Sequence, residues 1–175
     1  MNVYSDDIIL DIMNYVEKDE TEERIDKFYQ DAEDMFCYFS YLTLSVDYIR
    51  NLFNRPSNKF VFYSMDTDDF YIDNCPCGLI YTEENNVYYI LMICTRPKFK
   101  NMGYASIMLD GFIRDLKLKV GDKGKIILSS VESAVIFYEK YGFRWTREPI
   151  QNYPKLLESE RLEENKEYFI MEKCL

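Results

Sequence analysis

The 175-residue chain contains no histidine, only three alanines, one tryptophan and six glycines. Without histidine it lacks the usual base at neutral pH and the commonest zinc ligand, so His-dependent triads and most zinc sites are excluded. No apolar run approaches the ~20 residues of a membrane-spanning helix, and no charged-then-apolar leader opens the chain. Basic residues are scarce as well: 21 against 31 acidic ones give a net charge of -10 and a pI of about 4.6. A nucleic acid or an anionic membrane is therefore not an expected partner, because binding a polyanion needs local positive potential. Cysteines stand at 37, 75, 77, 94 and 174, an odd number, and a reducing, intracellular (cytoplasmic) compartment is the simpler expectation. Cys75-Pro76-Cys77 has neither zinc-type nor thioredoxin-type spacing and no second ligand pair elsewhere, so no metal site is expected.

What is present is a folding sequence, 47% hydrophobic and 17% aromatic. A chain of this length buries roughly 70% of its unfolded surface in one core. It has no repeat, linker or low-complexity tract, so residues 1–175 read as a single domain with a helical N-terminal part, 1–55, and a core, 59–175. Residues 6–18 fit either a helix through Ile8, Ile9, Ile12, Met13 and Val16 or an alternating strand through Ile8, Leu10 and Ile12. Helices are expected over 21–41, capped by Thr21, and over 46–54, closed by Pro56. Strands follow at 59–65, 78–82 and 87–95, the last two flanking a hairpin loop at Glu83-Glu84-Asn85-Asn86. An amphipathic helix through Ile107, Met108, Leu109, Phe112, Ile113 and Leu116 ends at Gly121–Gly124, and a buried strand covers 125–129. A helix over 132–141 stopped by Gly142, strands at 143–146 and 168–171, and a charged connection at 158–166 complete the reading. This order predicts an α/β (α+β) class with a mixed, mostly antiparallel sheet and helices on both faces.

The chemistry-bearing stretch is a hydrophobic strand, then Lys100-Asn101-Met102-Gly103-Tyr104-Ala105, then a helix. A glycine turn feeding a helix presents successive main-chain N–H groups at the positive end of the helix dipole, which suits phosphate oxygens. Lys98 and Lys100 add cationic donors. Alone, the signal is weak, since a glycine at a strand-to-helix turn is more often just a turn; it is neither a Walker loop nor a dinucleotide fingerprint.

Two further elements stand in order behind it: Ala134-Val135-Ile136-Phe137-Tyr138-Glu139-Lys140-Tyr141-Gly142-Phe143, and the closing Phe169-Ile170-Met171-Glu172-Lys173-Cys174-Leu175. With Pro97 six residues before Gly103, these resemble the GNAT superfamily of acyl-CoA-dependent N-acetyltransferases over residues 59–175. The resemblance implies acetyl-CoA as the acyl donor, with its pyrophosphate on Lys100, Asn101, Met102, Gly103, Tyr104, Ala105 and Ser106. Lys100 stands where Arg or Gln is usual and offers a point charge rather than a planar fork. The resemblance also places the pantetheine arm along the main chain of Ile93, Cys94 and Thr95, and beside Phe137 and Tyr138. Tyr138 becomes the acid that protonates the departing CoA thiolate, although it would also serve as a core aromatic against Phe143.

Two departures stand out. An Asn that holds pantetheine in many members is Val131 here, so that contact is absent or comes from Ser129, Ser130 or Glu132; Ser130 is kept as a candidate. A Glu that acts as base in several members is Tyr89 here, with no carboxylate between Val87 and Thr95. The base is unassigned, with Glu83, Glu84 and Glu132 the nearest acids in sequence. The function this implies is direct, ternary-complex transfer of an acetyl group to a primary amine of a small molecule or a lysine side chain. The alternative is a catalytically silent GNAT-like module that binds acetyl-CoA as a regulatory or interaction domain. Oligomeric state is open, a homodimer included.

The charge is uneven. Residues 1–34 carry 12 acidic and 3 basic side chains, whereas Arg96 to Arg147 carry 11 basic and 5 acidic. This suits a basic platform for a phosphorylated donor beside an acidic segment that draws in a cationic acceptor.

Overall fold

The computed structural model describes residues 8–11, 30, 36, 46–64, 75–160, 163 and 165–175. The chain divides into two compact units, Met1–Ile80 with Ile93–Gly111, and Tyr81–Met92 with Phe112–Leu175.

In the first unit, β1 (Ile8–Asp11) pairs antiparallel with β2 (Asn58–Ser64), from Ile8↔Ser64 to Asp11↔Val61. Of the two readings open for the N-terminal stretch, the strand is therefore the one these four residues adopt, and the first 55 residues are not wholly helical. The helix expected over 21–41 lies outside the described residues, except that Gln30 and Phe36 are helical. Helix α1 (Val46–Phe53) carries Asp47 in its first turn and Arg50 in its last, charges that complement the helix dipole. Its apolar face buries Ile49 and Leu52. The buried Asn58 amide donates to the Leu52 carbonyl at 2.8 Å, satisfying one of the acceptors that a helix C-terminus leaves open. Phe36 is fully buried, with its ring 5.4 Å from Phe62 and 5.7 Å from Phe53. It packs so closely on Gly78 that a Cβ there would stand 2.7 Å from the Phe36 ring. The strand order is β1-β2-β3-β4, where β3 (Cys77–Glu84), β4 (Val87–Thr95) and helix α2 (Tyr104–Val120) each contribute residues to both units.

In the second unit the order is β3-β4-β5-β7-β6. The hairpin between β3 and β4 turns on Asn85 and Asn86, with φ of 55° and 63°. Two successive left-handed residues make the turn whose twist matches flanking strands, and asparagine tolerates it best after glycine. The expected four-residue loop is thus a two-residue turn, with Glu83 and Glu84 inside β3. Strand β5 (Lys125–Ser130) runs parallel to β4, from Val87↔Lys125 to Ile90↔Leu128. Strand β7 (Phe169–Cys174) pairs antiparallel with β5, and β6 (Arg144–Trp145) antiparallel with β7. The fold is a mixed α/β one with a mostly antiparallel sheet, as the order of elements predicts.

Helix α3 (Val135–Lys140) is shorter than expected, because a 3-10 turn at Glu132–Ala134 takes its first residues. Gly142 closes it at φ 81°, donating to Glu139 at 2.9 Å while Phe143 donates to Tyr138 at 3.2 Å, the bonding pattern of a left-handed helix cap. The strand expected at 143–146 shrinks to Arg144–Trp145, and the closing strand extends to Cys174. In the connection, a 3-10 turn at Ile150–Asn152 and helix α4 (Pro154–Leu157) precede the charged segment. Ile150 and Leu156 pack on Ile127 and Ile170, with Val87, Tyr89, Leu91 and Tyr153 around them.

Candidate functional site

In the first unit the predicted residues form one continuous surface from the end of β4 to the start of α2. Rungs between β4 and β5 run to Ile90↔Leu128, while β4 continues to Thr95. Ile93, Cys94 and Thr95 are half-buried. The strand end is fixed by Arg96, a residue that sequence reasoning passed over. Its main-chain N–H donates to Pro76 at 2.8 Å, and its Nε donates to the Cys75 carbonyl at 2.9 Å.

A 3-10 turn, Pro97–Phe99, then leads to Asn101 and Gly103, whose φ values are 64° and 87°. These two left-handed residues bring the chain into α2, and Ile107 donates to the Gly103 carbonyl at 3.1 Å as the helix begins. The N–H groups of Tyr104, Ala105 and Ser106 occupy the first turn of a 17-residue helix, where no intrahelical acceptor exists. That turn holds no acidic residue. Asn101, Met102 and Gly103 are exposed, as are Lys98 and Lys100, and nothing lies within 4 Å of where a Gly103 side chain would stand. The turn is therefore open, cationic at its rim and lined by main-chain donors, a concavity suited to phosphate oxygens. Tyr104 is braced by Phe99 at 5.4 Å and Tyr63 at 5.6 Å.

The thiols behind this surface are chemically quiet. Burial pushes Cys77 up to about 12, against the ordinary 9.0, although Thr95 Oγ1 lies 3.6 Å from its sulfur. Burial likewise raises Cys94, helped by the neighbouring Cys77. A thiol that holds its proton is neither a nucleophile nor a metal ligand. Among the described residues no group of three or more Cys, Asp or Glu gathers as a metal ion would require.

In the second unit, Tyr138 is buried on α3, edge-on to Phe137 at 5.1 Å and to Phe143 at 5.7 Å. The Gly142 cap folds Phe143 back onto it, so position and packing are set by the same turn. Ser130 is buried and its hydroxyl donates to the Val131 carbonyl at 2.8 Å, which leaves its lone pairs but not its proton for a ligand. Val131 is exposed.

Tyr89 sits among the apolar residues around Ile127, Ile150 and Leu156, and burial, then Glu84, raises its hydroxyl above the ordinary range. A phenol so placed cannot accept a proton at neutral pH. Glu84 is paired with Lys155 at 3.6 Å, and Glu132 is exposed.

A family model described as an acetyltransferase (GNAT) domain matches residues 16–153. No curated protein matches the chain. Among solved structures it is similar to Tetrahymena GCN5, with 14% identity, 97% of this chain and 95% of that one covered, and a TM-score of 0.62. It is also similar to the ribosomal-protein-S18-alanine N-acetyltransferase of Escherichia coli, with 14% identity, 97% and 94% covered, and a TM-score of 0.60. A GNAT family acetyltransferase from Elizabethkingia anophelis with acetyl-CoA bound gives 19% identity, 80% and 90% covered, and a TM-score of 0.54. At these identities the structures speak to the fold.

Proposed function

The chain belongs to the GNAT acetyltransferase family, and on that premise we propose that it is an N-acetyltransferase moving the acetyl group of acetyl-CoA directly to a primary amine. The observation that carries this reading is the turn at Lys100–Ser106: two left-handed residues, an open glycine, exposed lysines and an acid-free helix start.

In this reading the donor brings the activated thioester, and each part of the chain has one task. The N–H groups of Tyr104, Ala105 and Ser106, with Lys100 beside them, hold the pyrophosphate. The main chain of Ile93–Thr95, beyond the last β4–β5 rung, aligns the pantetheine arm and directs an N–H to the carbonyl oxygen. A fixed donor aimed at developing negative charge is worth more than one that must reorient, and alignment itself supplies several kcal/mol, roughly 7 to 11 in ideal cases. Phe137 and Ser130 are further candidates for contact with the donor. Tyr138 holds a proton at its Oη for the departing thiolate; a phenol of ordinary pKa ~10 matches a thiol of ~8.5 closely enough for transfer.

No base is assigned. Tyr89 replaces the strand carboxylate and lies in an apolar cluster, so an acceptor amine of pKa ~10.4 loses its proton to water or to bulk solvent. This same observation favours a second reading, a module that binds acetyl-CoA without turnover.

Incubation with acetyl-CoA and a panel of amines separates the two. Transfer releases free CoA, and Tyr138→Phe lowers kcat by about 100-fold or more while acetyl-CoA binding, measured by calorimetry, is unchanged. An unaltered rate in Tyr138→Phe removes that residue from its role, and tight binding without turnover on any amine favours the second reading.

A further inference from the structure

Within the second unit lies an open groove of about 490 Å³, lined in part by Trp145, Arg147, Glu148, Glu163, Lys166 and Tyr168. Its distinguishing residue is Arg147, held at φ 60°. A side chain with a Cβ is strained there, and such conformations persist only where the surroundings impose them.

The surroundings are visible on both sides. Thr146 donates to the Ile170 carbonyl at 2.8 Å, extending the β6–β7 ladder by one bond. Glu148 donates its main-chain N–H to Thr146 Oγ1 at 3.1 Å, and its carboxylate accepts from Asn152 at 2.7 Å. Arg147 is the link between these anchors. Its guanidinium lies 5.6 Å from the centre of the Trp145 ring, and that ring is braced by Phe169 at 5.3 Å.

An arginine held against an aromatic face keeps its in-plane N–H fork for another partner. Two of the groove's acids are engaged elsewhere: Glu148 with Asn152, and Glu163 with Lys166 at 3.6 Å. Among the described residues no carboxylate forms a salt bridge with Arg147. A guanidinium fork matches a single carboxylate in two-point geometry. Glu167 on the same groove disfavours a multiply charged anion such as phosphate and favours a guest that also bears an ammonium group.

We propose that this groove is a carboxylate-recognising site for an amino-acid or short-peptide ligand, with Arg147 as its anchor.

Trp145 is the single tryptophan of the chain and is 40% exposed, so its fluorescence reports on the groove directly. The full chain is titrated with glycyl-glycine, glycyl-lysine and glycyl-glutamate, each as the free acid and as its C-terminal amide. At least one free acid changes the emission saturably while its amide does not. Arg147→Gln weakens that binding about tenfold or more. Arg147→Gly, which suits the left-handed backbone, melts no lower than the parent and still fails to bind, separating a lost ligand contact from a lost fold. Acids and amides that behave alike, or undiminished binding in Arg147→Gly, overturn the proposal. Acetyl-CoA calorimetry on the same samples reports on the turn at Lys100–Ser106 independently, so failure of one reading leaves the other standing.

Discussion

Gly103 and Arg147 occupy nearly the same backbone region, at φ 87° and 60°, yet they are opposite solutions to it. At the first, glycine adopts the conformation freely, and what the turn offers a ligand is main chain. At the second, a long charged residue is forced into the same region by its neighbours, and what it offers is a side chain at a fixed address. A site built from main-chain donors tolerates changes in side-chain identity but not in backbone freedom. A site built on a strained side chain has the reverse sensitivity.

The sharpest way to break this comparison is Gly103→Val. A β-branched residue at positive φ distorts the turn, and acetyl-CoA affinity falls about tenfold or more by calorimetry, with the melting temperature lowered by only a few degrees. Affinity that survives this change would mean that the turn is not the donor site. Next in size is an effect of pH, because thiols stand behind the first surface and none line the groove. Folded Cys77 keeps its proton up to about 12 whereas the unfolded thiol releases it from about 9.0, so above pH 9 the unfolded state binds fewer protons and stability falls as pH rises. The expected decline for one such thiol is about 1 kcal/mol between pH 9 and 10, steepening toward about 1.4 kcal/mol per pH unit beyond that. Urea midpoints between pH 9 and 10 measure it, and Cys77→Ala flattens the slope; an equal slope in that variant removes Cys77 as the cause. The smallest effect belongs to Lys100→Gln. An exposed point charge beside main-chain donors contributes a few-fold in acetyl-CoA affinity at low salt and less at high salt, and a loss as large as that of Gly103→Val would reverse the assignment of work between backbone and charge.

These differences also explain what was legible in the sequence. The β3–β4 hairpin, the turn at Lys100–Ala105 and α2 follow from local chemistry: alternation, paired asparagines, a glycine before a helical run. One family signature lies on this turn and the other two on α3 and β7, so the fold was readable from elements spread along the chain. The strand at Ile8–Asp11 was ambiguous because four residues satisfy both periods, and only pairing with β2 decides between them. The groove left no signature, since its lining comes from 145–151, 163 and 166–168 and converges only through the β6–β7 ladder. Nothing in the spelling of Trp145-Thr146-Arg147 announces a left-handed arginine. The role of Arg96 was hidden for the same reason, as its partners Cys75 and Pro76 lie about twenty residues upstream.

The early end of the β4–β5 ladder has a consequence for the chain's life outside catalysis. Rungs stop at Ile90↔Leu128, while β4 runs on for five residues. On the side facing β5, backbone beyond the last rung has no strand partner within the ladder and is open to a ligand instead. Any ligand that binds there only in the folded state adds to the protein's stability with its concentration, so melting temperature is a readout of occupancy that needs no turnover.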